Sequence, residues 1–170
     1  QVQAHSIQAS IEWRPKSSLA AGKFVLKKVV IDADDGTKID VSPKEPLAPK
    51  DSMPLLLNGY GCYGSLRGVG YDVIDSIWLQ LGGRVAYAHV RGGGEKGEDW
   101  HRAAMGVQKV RSILDFVAVA KALPGPKVAH GGSCGGLLVA ASVLREPEQF
   151  HGAIVNYGIL DLVRFSEFSG

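Results

Sequence analysis

The pattern of apolar and polar residues changes rhythm at Pro54. Before it, "FVLKKVVIDADDGTKIDV" (24–41) reads as two β-branched, partly alternating runs around an Asp35-Gly36 pair. Asp-Gly between such runs predicts a hairpin, because the tight turn needs positive φ, where glycine is unstrained. The stretch "SPKEPLAPKDSMP" (42–54) holds four prolines and predicts a surface loop that cuts short the strand after Asp40. Residues 1–22 show no clear period and read as an approach segment.

From Pro54 onward the strands read as short, uniformly apolar runs: "PLLL", the centre of "LGGRVAYAHV", then "KVAH" and "GAIVNY". Runs of this kind suit a sheet covered on both faces. Helical patterns lie between them. Val110, Ile113, Leu114, Val117 and Ala120 share one helical face, and "LLVAASVLRE" (137–146) is rich in good helix formers. Strands alternating with helices predict an α/β domain, 23–170, with a mostly parallel sheet and helices on both faces.

Composition narrows the function classes. The 170 residues are 45% hydrophobic and 21% charged, ordinary for a globular domain, with a net charge of +2. That balance gives no electrostatic case for a nucleic-acid partner. The apolar run Leu137–Leu144 falls far short of the roughly 20 residues needed to span a membrane. Cys62 and Cys134 have no metal-ligand spacing and form no disulfide framework, so a reducing, cytoplasmic setting is expected. Neither terminus has a leader or a terminator, and both ends read as the interior of a longer chain.

Candidate chemistry centres on Gly131-Gly132-Ser133-Cys134-Gly135, which fits G-x-S-x-G between a strand and a helix. A serine there must take a strained backbone, and its neighbours must be tiny to allow the turn. The helix N-terminus directs free N–H groups toward it, suited to an oxyanion. The same glycines could form a merely tight turn or cradle an anion. A Walker A loop fails because no Lys follows them. One copy of "RGGGE" (91–95) in a near-neutral domain is poor support for RNA or phosphate binding.

Two longer segments, "LLLNGYGCYG" (55–64) and "AYAHVRGGGEKGEDWH" (86–101), precede "GGSCGG". In order and spacing they resemble the prolyl oligopeptidase family of serine peptidases, which includes prolyl oligopeptidase and oligopeptidase B; "ILDFVAVAKAL" and "EPEQFHGAIVNYGILDLVRF" extend the likeness over about residues 25–170. The resemblance implies an α/β-hydrolase fold, incomplete here at its C-terminal side, and a serine-type endopeptidase acting on short peptides through an acyl-enzyme at Ser133. It implies an oxyanion hole made by the Cys134 N–H and the Tyr60 phenol, and no cofactor or metal. It also implies that the family's β-propeller and the C-terminal part of its peptidase domain lie outside these 170 residues. Arg91 and Glu95 are expected to pair inside the domain, with Trp100 and His101 packing their loop. Tyr63 lines the substrate pocket or is a buried turn aromatic. A thiol at the helix N-terminus should be reactive, so a bulky thiol reagent at Cys134 is expected to block the site.

The sequence does not supply a base. A serine needs a histidine oriented by a carboxylate, and in α/β-hydrolases these follow it as acid, then histidine. The 37 residues after Ser133 hold one histidine, His151, and one aspartate, Asp161, in the reverse order. His151 reads as a surface residue, and His130 should point off the elbow. Three readings stay open: a fragment of a complete peptidase, an inactive truncated paralogue, or a non-catalytic module that binds an anion or a protein. For the 170 residues alone no hydrolysis is expected.

Overall fold

A computed structural model describes residues 24–68 and 70–167; the approach segment expected over 1–22 lies outside them. The predicted hairpin forms. Strands β1 (Phe24–Leu26) and β2 (Val29–Asp32) both run antiparallel to β3 (Lys38–Pro46), and the turn closes with Ala33 N–H on Thr37 O at 2.8 Å.

The proline-rich segment departs from expectation, since β3 continues through Pro43 to Pro46. Leu26 faces Lys44 and Val29 faces Val41, so β1 and β2 are one strand interrupted opposite Pro43. Lys27 N–H still donates to Pro43 O at 2.8 Å. Proline has no N–H to return, and the ladder breaks there. Pairing with the next strand on the other side, Pro43 against Ala86, holds the segment extended.

The remaining strands are β4 (Leu55–Gly59), β5 (Arg84–His89), β6 (Lys127–Gly132) and β7 (Gly152–Asn156). Among the described residues the sheet order is β1-β3-β5-β4-β6-β7, with β2 also on β3. Strands β5, β4, β6 and β7 are mutually parallel. Helix α1 (Val73–Gln80) covers one face through Leu79 against Leu56 and Val85. On the other face α3 (Val110–Ala122) and α4 (Cys134–Arg145) bury Phe116, Val119, Leu138 and Val139 against Leu57, Ala86 and Ala129. Helices therefore lie on both faces of a mostly parallel sheet, as expected for an α/β-hydrolase fold.

The predicted face of α3 forms in part, with Val117 and Ala120 buried and Ile113 packed on the core. Val110 is exposed, while Ser112 and Asp115 are fully buried. Both serve Arg91 in the loop after β5. Asp115 takes its Nε at 2.9 Å, its Nη2 at 2.5 Å and its backbone N–H at 3.0 Å; Ser112 Oγ donates to its carbonyl at 2.6 Å. Asp35 on the hairpin takes the Nη1 at 2.7 Å. Arg91 thus pairs with Asp115 and Asp35, not with Glu95. Glu95 lies 3.5 Å from His89 and accepts from Arg67 N–H. Trp100 and His101, in the short α2 (Glu98–Arg102), do brace this loop: they bond Val90 O and Gly92 O.

Candidate active site

Strand β4 leads through α1 on one face of the sheet, and its neighbour β6 leads into α4 on the other face. Their loops part at the carboxyl ends of the two strands, the place where open α/β sheets form a crevice. A cleft of about 570 Å³ lies there, lined by Tyr60 after β4 and Ser133 after β6, with Tyr87, His130 and Asn156 on its sheet side.

Ser133 takes φ 54° and ψ −123° at the head of α4. An L-residue persists in so sparse a region, at roughly 1–3 kcal/mol, only where its surroundings over-determine it. Here they do. Its N–H donates to Asn156 O at 2.9 Å, and its carbonyl accepts from Gly136 N–H at 2.9 Å and Ile159 N–H at 3.2 Å. A serine at a helix N-cap ordinarily accepts from the N2 or N3 N–H. Ser133 makes no such bond, so its hydroxyl is not spent on the helix. The leading N–H groups of α4, Cys134 first, have no intrahelical acceptor and point toward the same end.

The glycines around Ser133 are required by close approach. A Cβ on Gly131 would lie 2.4 Å from Gly135 O, and one on Gly135 would lie 2.6 Å from Gly59 O and 3.3 Å from Tyr60 Cα. The elbow and the Tyr60 loop are therefore packed backbone to backbone. Gly135→Ala should destabilise the fold by about 1–3 kcal/mol through this overpacking. In thermal unfolding the midpoint should fall; a rise, as helix propensity alone would give, overturns this reading.

The Tyr60 side chain is partly buried, with the Arg67 guanidinium 3.8 Å above its ring. Tyr63, two loop positions away from Gly61, is 69% exposed and does not line the cleft. It is not the buried turn aromatic that the sequence suggested.

His130 lines the cleft with Ser133, yet both its ring nitrogens are engaged. Asn58 Oδ1 can only accept, so Nδ1–H donates to it at 2.5 Å, and Nε2 then accepts from Asn156 Nδ2 at 3.0 Å. Burial lowers the pKa of His130, which favours this neutral form. A ring clamped at both nitrogens cannot serve Ser133 as base. His151 is exposed, with Nδ1 3.4 Å from Lys127 N, and Asp161 is tied to Arg164. A second serine, Ser42, is 2.8 Å from His89 Nε2, with Glu95 beyond. It sits within β3, paired with Tyr87 of β5, and not at a strand-to-helix turn where free N–H groups would meet an oxyanion.

The expectation of a free thiol at Cys134 is corrected. Cys134 forms a disulfide with Cys62, their Cα atoms 6.3 Å apart, and neither cysteine is free. A thiol reagent has nothing to label while that bond stands. Asn58 and Asn156, which fix His130, were not singled out from the sequence. Their signal is a polar residue near the end of an otherwise apolar strand, in "LLLNG" and "GAIVN".

The model of the prolyl oligopeptidase family matches residues 71–169. A prolyl endopeptidase of Elizabethkingia meningoseptica is 32% identical over 165 residues, covering 92% of this chain and 23% of that protein. The structure of a post-proline cleaving enzyme from Rickettsia typhi superposes with a TM-score of 0.82 at 31% identity, over 86% of this chain and 23% of that one. Oligopeptidase B from Trypanosoma brucei, with covalently bound antipain, gives 0.71 at 30% identity, over 78% and 20%. The chain thus spans about a quarter of the length of the relatives it matches.

Proposed function

Because the chain belongs to the prolyl oligopeptidase family, we propose that it carries the nucleophile and oxyanion donors of a serine oligopeptidase acting on short peptides. The observation that supports this most is the backbone of Ser133, held at φ 54° in a cleft that Tyr60 also lines. Ser133 Oγ attacks the scissile carbonyl and gives its proton to a base. The tetrahedral oxyanion is met by the Cys134 N–H and the Tyr60 hydroxyl. Collapse expels the peptide amine, and water releases the acyl group in a second pass through the same donors.

Base and acid come, in this reading, from sequence outside these 170 residues. His130 is committed to two asparagines, and Asp161 precedes no histidine. The 170 residues alone are accordingly without turnover, and the family's propeller is a further part of the whole protein. Cleavage after proline is the specificity we favour, since the likeness to the post-proline enzyme exceeds that to oligopeptidase B.

A fluorophosphonate probe tests the reading: in the full-length protein it should label Ser133, identified by peptide mapping. No labelling, with the fold intact, would leave a non-catalytic binding module. Tyr60→Phe should lower kcat on a short peptide by about 10²–10³ with KM little changed, the usual cost of one oxyanion donor. A change under threefold would remove Tyr60 from the mechanism.

A further inference from the structure

Tyr60 is two residues before Cys62, and Ser133 is one residue before Cys134. The bond between the two sulfurs therefore joins the loop that carries one oxyanion donor to the helix end that carries the nucleophile and the other donor. Nothing else covalent links these segments, 72 residues apart in sequence. Their non-covalent contact is Gly135 against Gly59 O and Tyr60, with the Leu138 side chain of α4 packed on Gly59. Beyond Cys62 the loop is tied to the turn after β5, by Gly64 N–H to Gly92 O at 3.1 Å and Gly94 N–H to Ser65 O at 3.2 Å, and those bonds do not fix it to α4.

We propose that Cys62 is a positioning residue: its disulfide to Cys134 holds the Tyr60 loop at catalytic distance from Ser133, and reduction of that bond slackens the oxyanion hole and lowers turnover reversibly. The inference rests on the serine-peptidase reading above.

The chemistry of reduction is set by a neighbour. Lys109 Nζ lies 2.9 Å from Cys62 Sγ and also donates to Gly61 O and to Ser112 Oγ at 3.2 Å. Burial lowers its pKa to about 8, which leaves it mostly charged at neutral pH. A cation beside Cys62 makes its thiolate the better leaving group. A dithiol reductant then attacks Cys134 Sγ: the S–S bond breaks, a mixed disulfide forms on Cys134, and the electron pair leaves on Cys62, facing Lys109. The reductant's second thiol displaces Cys134. Two cysteine thiols and one oxidised reductant result.

The test compares full-length protein before and after reduction with a dithiol, the state of Cys62 and Cys134 being read by mass spectrometry of alkylated peptides. Reduction should lower kcat on a short peptide about tenfold or more, within the about 10²–10³ that loss of a whole donor costs. It should leave KM nearly unchanged, slow fluorophosphonate labelling of Ser133 in parallel, and reverse on reoxidation. Cys62→Ser should show the reduced-state rate, and the double variant Cys62→Ser/Cys134→Ser should ignore reductant; circular dichroism and the measurable residual rate separate this from misfolding. Free thiols at both positions after mild oxidation would overturn the inference, as would equal kcat and equal labelling rates in the two verified redox states. Absence of labelling in both states would overturn the serine-peptidase reading, and this inference with it.

Discussion

Ser133→Ala in the full-length protein should lower kcat on a short peptide by at least about 10⁴-fold and abolish fluorophosphonate labelling, with circular dichroism and thermal unfolding close to the parent's. The magnitude follows from the chemistry. Loss of the hydroxyl removes the covalent route, and what remains is binding and oxyanion stabilisation, which elsewhere leave only a small residue of rate after the nucleophile is deleted. The fold should tolerate the change because the Ser133 hydroxyl makes no capping bond and the backbone is pinned by Asn156 O, Gly136 N–H and Ile159 N–H. Alanine at φ 54° meets the same strain as serine. Retention of more than a hundredth of the parent's kcat would show that Ser133 is not the nucleophile.

The second large effect concerns stability. Asp115→Ala should cost about 3–5 kcal/mol, because Arg91 is left buried without its main counter-charge. Asp115 is 0% exposed and accepts from the Arg91 Nε, Nη2 and backbone N–H together. Asp35 remains on Nη1, but its side chain is half exposed, and solvent screens that pair. In a domain of this size the loss corresponds to a fall of roughly 6–20 °C in the unfolding midpoint. The double variant Arg91→Met/Asp115→Leu should recover much of it, since replacing both partners removes the stranded charge as well as the bond. A single variant within 1 kcal/mol of the parent, or a double variant worse than the single, would mean that the pair does not carry the loop.

These predictions draw on both sequence and structure, in different proportions. Strands β4 and β5 were legible because burial on two faces leaves continuous apolar runs, and the hairpin because Asp35-Gly36 suits one kind of turn; β7 keeps an apolar run although none of its residues is buried. The elbow was legible for the same local reason: Gly131, Ser133 and Gly135 stand within five residues, and the close approach that demands them is encoded there. The length and order of the motifs at 55–64 and 86–101 carry the likeness to the family.

Other features depended on partners far away in the chain. Pro43 reads as a breaker, yet pairing with β5 keeps its strand extended, and only the facing strand is interrupted. Ser112 and Asp115 read as the polar face of α3 until Arg91, more than twenty residues earlier, turns that face inward. His130 reads as pointing off the elbow, yet it lines the cleft, where Asn58 and Asn156 on the neighbouring strands take both its nitrogens. The α/β pattern, the G-x-S-x-G turn and the family can be read from the chain alone, because apolar periodicity and turn chemistry act between residues a few positions apart. Which buried charges meet, which histidine is engaged and that the two cysteines pair follow from the folded chain, because those contacts form across strands and loops whose approach the packed sheet sets.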